Sequence, residues 1–526
     1  MITRRAQTCL RLSKQTIRTP RSRYNGAIQK RFASTASAPA ATPASATSSA
    51  SQLAVITNEL DKLSPRFRVP ADSIQILRSP SEFYETLKTK IQNADRRIFL
   101  STLYIGKSEH ELIDTIRAAL KANPDLKVSL LTDYLRGTRE EPEASCASLL
   151  ASLVRDFGSD RVEVCLYHTP NLVGTKKAIL PKRINEGWGL QHMKLYGIDD
   201  EIIMSGANLS NDYFTNRQDR YHVFKSKEIT DYFGKLYRTV CDLSYRVLPS
   251  ERQQSGFETD WPSGNIQPAP LSDPKAYIES ATKALQPFTQ PPTANAMTDS
   301  DTYVYPLVQL TPLLKPDTST ELPALTGILA KLGTPELAGS KWTFTAGYFN
   351  MTPEVRELLL RSNPASAAVV AASPWANGFY GSKGISGMLP AAYTLLSRRF
   401  LDAVSQRNVS DRISIKEWRR GTVNTPGGWT YHAKGIWITL PGDAHPSISL
   451  VGSSNYTKRS YSLDLEANTL IVTRNADLQK RLGEEETWLQ EYATPMTRDD
   501  YAKTERRVGL HVRIAMWIVT LVGGAL

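Results

Sequence analysis

Four short segments recur in the same order in two halves of the chain, separated by long and divergent inserts. RIFLSTLYIG (97–106) matches KWTFTAGYFN (341–350), which sets Tyr104 opposite Tyr348, and each is followed by a helix-like stretch, ELIDTIRAAL or PEVRELLL. LKVSLLTDYLRG (126–137) pairs with SAAVVAASPW (366–375), and DRVEVCLYH (160–168) with DRISIKEWR (411–419). These are short β-rich runs closed by turn or polar residues. A duplication of this kind restricts the chain to two copies of one unit. Strands alternating with helical patterns make that unit an α/β sheet with helices on its faces. The expected lobes are 66–250 and 301–500, and residues 251–300 read as a Pro-, Gln- and Ser-rich connection between them.

The fourth pair carries the chemistry. The first copy, QHMKLYGIDDEIIMSGANLSNDYFTNRQDRY, holds His192, Lys194 and Asp199 in the pattern H-x-K-x4-D. Alternation along an extended segment puts His192 and Lys194 on one face. Ser205, Gly206 and Asn208 then form a small-residue turn, and Asp219 falls eleven residues past Asn208. The second copy, YHAKGIWITLPGDAHPSISLVGSSNYTKRSYSLDLEANTLIVT, repeats the pair as His432 and Lys434 and the turn as Gly452, Ser453 and Asn455. Glu466 falls eleven residues past Asn455. A lone H-x-K is usually a surface pair and a lone Asn after Gly a turn residue. Two sets with one shared offset, in a chain with only seven His, are not explained that way. Asp199 stands apart, because its equivalent is Thr439; it is expected to stabilise a turn as readily as to join the site, with Asp200 as a competitor.

Such a doubled set suits exchange of one group on a phosphodiester. One imidazole attacks phosphorus and forms a phosphohistidine, while the other protonates the departing oxygen and later deprotonates the incoming alcohol. Two Lys and two Asn amides hold the non-bridging oxygens, and Asp219 and Glu466 each fix a His tautomer through Nδ1. The scheme requires no metal; whether a divalent ion stimulates it is left open by the sequence.

These residues resemble the phospholipase D superfamily, whose signature is H-x-K-x4-D followed by G-[SA]-x-N. Within it the chain is similar to the mitochondrial CDP-diacylglycerol–glycerol-3-phosphate 3-phosphatidyltransferases of eukaryotes, through the first motif, the truncated HAKGIW, the DLEAN segment and STLYIGKS, over about 79–491. The resemblance implies two phospholipase D-like lobes, each a mixed sheet flanked by helices, with the active site at their interface. It implies CDP-diacylglycerol and sn-glycerol 3-phosphate as substrates, and phosphatidylglycerophosphate and CMP as products. By analogy His192 is the nucleophile and His432 the acid/base, although the sequence allows the reverse. The family treats Ser101, Thr102, Leu103, Tyr104, Ile105, Gly106, Lys107 and Ser108 as a nucleotide-contacting stretch, which implies contact with the CDP moiety or with ATP. Gly106–Ser108 echo the end of a P-loop without its upstream glycine, and a strand-to-helix turn with a helix N-terminus at Ser108 fits equally well. Arg136, Lys176, Lys177, Lys182, Arg183, Arg419 and Arg420 are candidates for the acceptor's phosphate, with no choice among them.

Charge and composition place the chain in the cell. The formal net charge is +12, but residues 1–58 carry seven Arg and two Lys and no acid, so the body is nearly neutral. A nucleic-acid groove is therefore not expected. Residues 1–33 have the Arg- and Ser/Thr-rich composition of a mitochondrial transit peptide, which points to the mitochondrion and the matrix face of its inner membrane. Residues 34–65 read as a low-complexity linker. Cys9, Cys146, Cys165 and Cys241 form no C-x-x-C pair, so neither a zinc site nor a disulfide framework is indicated. No apolar run reaches the ~18 residues needed to span a bilayer. Residues 501–526 are basic and then apolar, which suits peripheral membrane association, with a buried core helix as the equal alternative.

Overall fold

A computed structural model describes residues 49–179, 185–290 and 300–521. The transit-peptide segment 1–33 lies outside the described residues, as do Lys182, Arg183 and 291–299 of the connection.

Two nine-stranded mixed sheets dominate. Seven consecutive strands of the first run Val162–Tyr167, Lys127–Asp133, Arg97–Ser101, Leu195–Ile198, Glu201–Ser205, Tyr221–Phe224 and Ile74–Leu77. The second repeats that order as Ile413–Trp418, Ser366–Ala372, Lys341–Ala346, Lys434–Thr439, Ile448–Gly452, Glu466–Thr473 and Thr302–Gln309. In both, the first three strands are parallel and the rest antiparallel. The repeat read from four segment pairs is thus a repeat of strand order. Parallel strands need crossover helices, and His110–Ala122, Cys146–Phe157, Pro353–Arg361 and Leu389–Gln406 supply them.

Each lobe has its own core on one face of its sheet, and a third apolar cluster joins the two lobes. It packs Phe99, Leu131, Met193 and Phe233 of the first with Val304, Trp437, Leu465 and Ile471 of the second. Burial on this scale locks the lobes, because each large apolar side chain removed from water contributes about 1.5–3 kcal/mol. A buried polar knot sits beside it. Glu485 of the second lobe takes both Arg220 (2.8 and 3.0 Å) and His222 (2.9 Å) of the first, and Arg220 lies 3.8 Å over the Trp437 ring. The Arg220 guanidinium, with the His222 hydrogen bond, holds the Glu485 carboxyl well below the usual carboxylate range although it is buried.

Three expected boundaries shift. Ser49–Leu60, inside the stretch read as linker, is a helix that buries Leu53, Ile56 and Leu60 in the second lobe's core. Its apolar residues recur at helical spacing, a pattern masked by the Ala/Ser-rich sequence before it. Phe67–Arg68, read as the start of the first lobe, pairs instead with Thr302–Gln309 of the second sheet. In the connection, Phe257–Asp260 extends the first sheet and Pro274–Leu285 is a helix. Asp273 accepts from the Lys275 and Ala276 N–H groups and Pro274 sits at the first helical position, a start signal that composition alone hides.

Candidate active site

The histidines are placed by backbone before any side chain acts. In each lobe the chain approaching the H-x-K pair crosses to the other lobe and bonds to the segment leading into its carboxylate. The His192 N–H donates to Leu465 O (2.9 Å), and Leu465 N–H donates back to Leu190 O (2.8 Å). Across the pseudo-twofold, the His432 N–H donates to Gln218 O (2.8 Å), and Arg217–Gln218 runs parallel to Thr430–Tyr431. Leu465 and Gln218 directly precede Glu466 and Asp219, so each histidine is delivered to the carboxylate of the opposite copy. His192 Nδ1 lies 2.9 Å from both Glu466 oxygens, and His432 Nδ1 lies 2.7 Å from Asp219 Oδ2. The equal offsets in the sequence describe pairs exchanged between lobes.

Both imidazoles, both carboxylates and both lysines are buried. Burial pulls His192 and His432 well below the ordinary imidazole range, helped by Lys194 beside the first and Lys434 beside the second. Both are therefore neutral at neutral pH. An Nδ1–H donated to a carboxylate then leaves Nε2 with a free lone pair, the form that attacks or accepts a proton. Burial also pushes Asp219 up and Glu466 up to about 7, against the pull of Lys434 and Lys194. Lys194 Nζ donates to His192 O (2.7 Å). Lys434 Nζ approaches His432 Nδ1 at 2.7 Å and Asp219 at 3.6 Å. Desolvation depresses both ammonium groups, so an anion arriving between them is strongly favoured.

The two asparagines differ. Asn208 is tied into the wall: its Nδ2 donates to Tyr213 Oη (3.1 Å) and its Oδ1 accepts from Thr102 Oγ1 (3.4 Å). Tyr213 Oη in turn sits 3.3 Å from His432 Nε2. Asn455 has its N–H on Ser460 Oγ, and its side-chain amide has no partner among the described residues. Ser453 Oγ donates to Glu466 Oε2.

Asp199 is not in this site. It occupies the hairpin turn after Leu195–Ile198, seven residues and roughly 20 Å of extended chain from His192. With φ +50 it accepts the N–H groups of Asp95, Arg96 and Arg97 (2.8, 2.8 and 3.1 Å), while Asp200 pairs with Arg96 (2.6 Å). The H-x-K-x4-D spacing therefore joins a pair in the site to a turn residue outside it, which is why Thr439 serves in the other copy.

The 101–108 stretch divides. Ser101 and Thr102 are buried against the site, Ser101 accepting from Gln191 Nε2 (2.8 Å) and Thr102 meeting Asn208. Tyr104 lies 3.4 Å from Ser210 Oγ and under Arg136 (4.3 Å). Leu103 is half-buried and Ile105 buried. Lys107 and Ser108 are exposed, the Gly106 N–H is spent on Leu209 O (2.9 Å), and the helix starts at His110 rather than at Ser108. The Glu109 carboxylate lies against Gly106, where a phosphate cradle would need positive charge. Among the acceptor-phosphate candidates, Lys177 lies over Tyr134 (5.3 Å), Arg419 over Trp375 (4.4 Å) and Arg420 over Trp429 (4.2 Å).

One site residue escaped the sequence and another was named there without a role. Tyr213 lies five residues past Asn208, where the second copy has Ser460, so the repeat gave it no emphasis. Tyr348 was visible as the partner of Tyr104, and it meets the His432 ring edge-on at 5.1 Å.

Comparison with known proteins identifies the family and the fold. A family model described as "Cardiolipin synthase, PLD-like domain" matches residues 87–240. The chain has the fold of the phosphatidylserine synthase crystal structure from Haemophilus influenzae, with TM-score 0.68 and 20% identity over 89% of this chain and 97% of that one. It is 46% identical to the CDP-diacylglycerol–glycerol-3-phosphate 3-phosphatidyltransferase of Saccharomyces cerevisiae, over 89% of this chain and 91% of the relative. The enzyme of that name from Schizosaccharomyces pombe is 39% identical (84% and 93%), and the mitochondrial one from Homo sapiens 35% (86% and 83%). With relatives this similar spanning nearly the whole body, the chain belongs to the CDP-diacylglycerol–glycerol-3-phosphate 3-phosphatidyltransferase family.

Proposed function

We propose that the protein transfers a phosphatidyl group from CDP-diacylglycerol to sn-glycerol 3-phosphate, releasing CMP and forming phosphatidylglycerophosphate. The observation that carries this reading is the pair of crossed histidine–carboxylate contacts at one interface, two neutral imidazoles flanked by two buried lysines. His192, held symmetrically by Glu466, attacks the phosphorus that bears the diacylglycerol. A P–N bond forms and the P–O bond to CMP breaks. The leaving group is itself a phosphate, so it needs little help from a proton. The second step needs a base: His432 Nε2 takes the proton of the glycerol 3-phosphate hydroxyl, whose oxygen attacks phosphorus as the P–N bond breaks. A neutral His432, kept so by burial and Lys434, is in the correct form for that task. Lys194, Lys434 and the free Asn455 amide take the non-bridging oxygens as charge shifts onto them. Side chains alone supply these groups, so the scheme uses no metal. Ser101–Tyr104 contact the CDP moiety, supported by the place of Thr102 against Asn208.

The protein acts at a mitochondrial membrane, on the matrix face of the inner membrane, and associates with it peripherally through 501–526. The basic, acid-free leader, the mammalian relatives named mitochondrial and the apolar helix Leu510–Leu521 support this. The test is mass spectrometry of the lipid formed from CDP-diacylglycerol and glycerol 3-phosphate, with CMP release followed in parallel. Phosphatidylglycerophosphate is expected, and His192→Ala and His432→Ala should each lose at least ~10³-fold in turnover. Near-normal CMP release by either variant, or a product made with serine or phosphatidylglycerol instead, would sink the reading.

A further inference from the structure

Among the described residues no helix is long and apolar enough to cross a membrane. The last described helix, Leu510–Leu521, spans only about 18 Å at 1.5 Å per residue. It is nonetheless half unpartnered. Val512 and Met516 are buried on Leu389–Gln406, packing on Ala392 and Leu395, while Leu510 (72% exposed), Ile514, Trp517 (64%) and Ile518 face solvent. Beneath this helix opens a cleft of about 410 Å³ lined by Thr394, Arg398, Tyr501, Arg506, Arg507 and Arg513 among others, with no carboxylate in its wall. Arg506 is spoken for, since it pairs with Glu417 (2.6 Å) and lies over Trp375. Arg398 and Arg507 form no side-chain hydrogen bond or ion pair among the described residues, and Arg513 bonds only to Val508 O (3.3 Å). Three guanidinium groups thus converge without a counter-charge beside four exposed apolar side chains.

We infer that this cleft seats the phosphate headgroup of an anionic glycerophospholipid while Leu510, Ile514, Trp517 and Ile518 enter the bilayer surface around it. The charge selects the occupant: guanidinium groups match a phosphodiester anion, and the apolar rim matches the acyl boundary immediately above such a headgroup. The placement also serves the chemistry. Thr394 and Arg398 of the cleft share their helix with Tyr393, which stacks on Tyr348 (5.9 Å), which in turn meets His432 (5.1 Å). The bilayer is held next to the site where a lipid donor must enter. This inference rests on the membrane association proposed above and adds its headgroup chemistry and location.

The test is hydrogen exchange of the full chain on vesicles, which reads residues 507–518 separately from the basic leader. On phosphatidylcholine vesicles containing phosphatidylglycerol these amides should gain protection, and on pure phosphatidylcholine they should gain much less. The lipid titration midpoint should weaken about fivefold for each of Arg398→Ala, Arg507→Ala and Arg513→Ala, and about 10²-fold for all three together. Equal protection on neutral vesicles, undiminished protection in the triple variant, or protection by inorganic phosphate alone would overturn the inference. Unchanged exchange in Lys434–Thr439 establishes that the triple variant is folded. CMP release in detergent micelles, where no bilayer is present, should be unchanged in that variant. Absence of CMP release by the wild-type chain there would instead overturn the proposed reaction and leave the docking result standing.

Discussion

In the first lobe the turn Ser205-Gly206-Ala207-Asn208 faces Asp219 and the imidazole of His432; in the second, Gly452-Ser453-Ser454-Asn455 faces Glu466 and His192. The backbone cradles are equivalent, yet the groups placed on them differ in a coordinated way. Glu466 is one methylene longer than Asp219 and is steadied by Ser453, two residues before Asn455. The same position in the first lobe is Gly206, where a Cβ would lie 2.6 Å from Lys434 Nζ and 2.8 Å from Asp219. The missing side chain admits an ammonium to the Asp219–His432 pair. Lys194 instead turns to its own strand's carbonyl. His192 therefore rests its Nδ1 on both carboxylate oxygens with Lys194 turned away to a carbonyl, whereas His432 has an ammonium directly on its ring. Under the reaction proposed above, the first arrangement suits a nucleophile whose positive charge grows on attack and the second suits a base. Duplication supplies the two-histidine site, and on that proposal this local asymmetry separates the two roles.

The strongest way to break the comparison is Glu466→Gln. It should lower kcat on the order of 10³-fold, the usual weight of an acid–base assembly, and change the pH response. With its carboxyl at about 7, Glu466 loses its charge as pH falls, so wild-type activity should decline below about pH 7. The variant should lack that limb in a pH–rate profile. The stability effect has the opposite sense. Because the folded value is raised from 4.5 to about 7, this group's contribution is complete below about pH 4.5 and lost as pH rises through 7. That loss is about 3 kcal/mol at most and should be absent from urea titrations of the variant.

Exchanging the two turns is the next test. Gly206→Ala should displace Lys434 and Asp219 and reduce kcat about 10²-fold, as ångström-scale misplacement does. Ser453→Ala, at the matching position, removes the hydroxyl that donates to Glu466 and accepts from the Ala467 N–H, and should cost only about tenfold. Equal effects would deny the asymmetry. The smallest expected effect is that of Asp199→Asn, which should leave kcat within about twofold and lower the melting temperature by about 2–4 °C for each kcal/mol lost. A collapse of kcat without loss of stability would return Asp199 to the reacting group.

Much of this was legible in the sequence. The repeat, the two H-x-K pairs and the eleven-residue offset were enough to find the lobes and six of the central side chains, because strand order and site geometry are both written into periodic local patterns. The crossing of the pairs was not legible: nothing in the offset says that Asp219 serves His432 and not His192, since that depends on the backbone bridges at Leu465 and Gln218. Asp199 was left between turn and site, because spacing along a strand does not report which end faces the partner lobe; the structure gives it the turn. The Ser49–Leu60 helix and the Phe67–Arg68 strand were hidden by tertiary exchange, as both serve the second lobe from a position before the first.

The central claim is that two histidines from opposite lobes act in sequence on one phosphorus. It is tested most directly by quenching the enzyme with CDP-diacylglycerol before any acceptor is added and locating the phosphatidyl adduct by peptide mass spectrometry. The account predicts an adduct on His192 in the wild-type chain, its absence in His192→Ala, and its accumulation in His432→Ala if that variant still releases CMP. An adduct on His432, or single-turnover product formation with no adduct on either histidine, would contradict it.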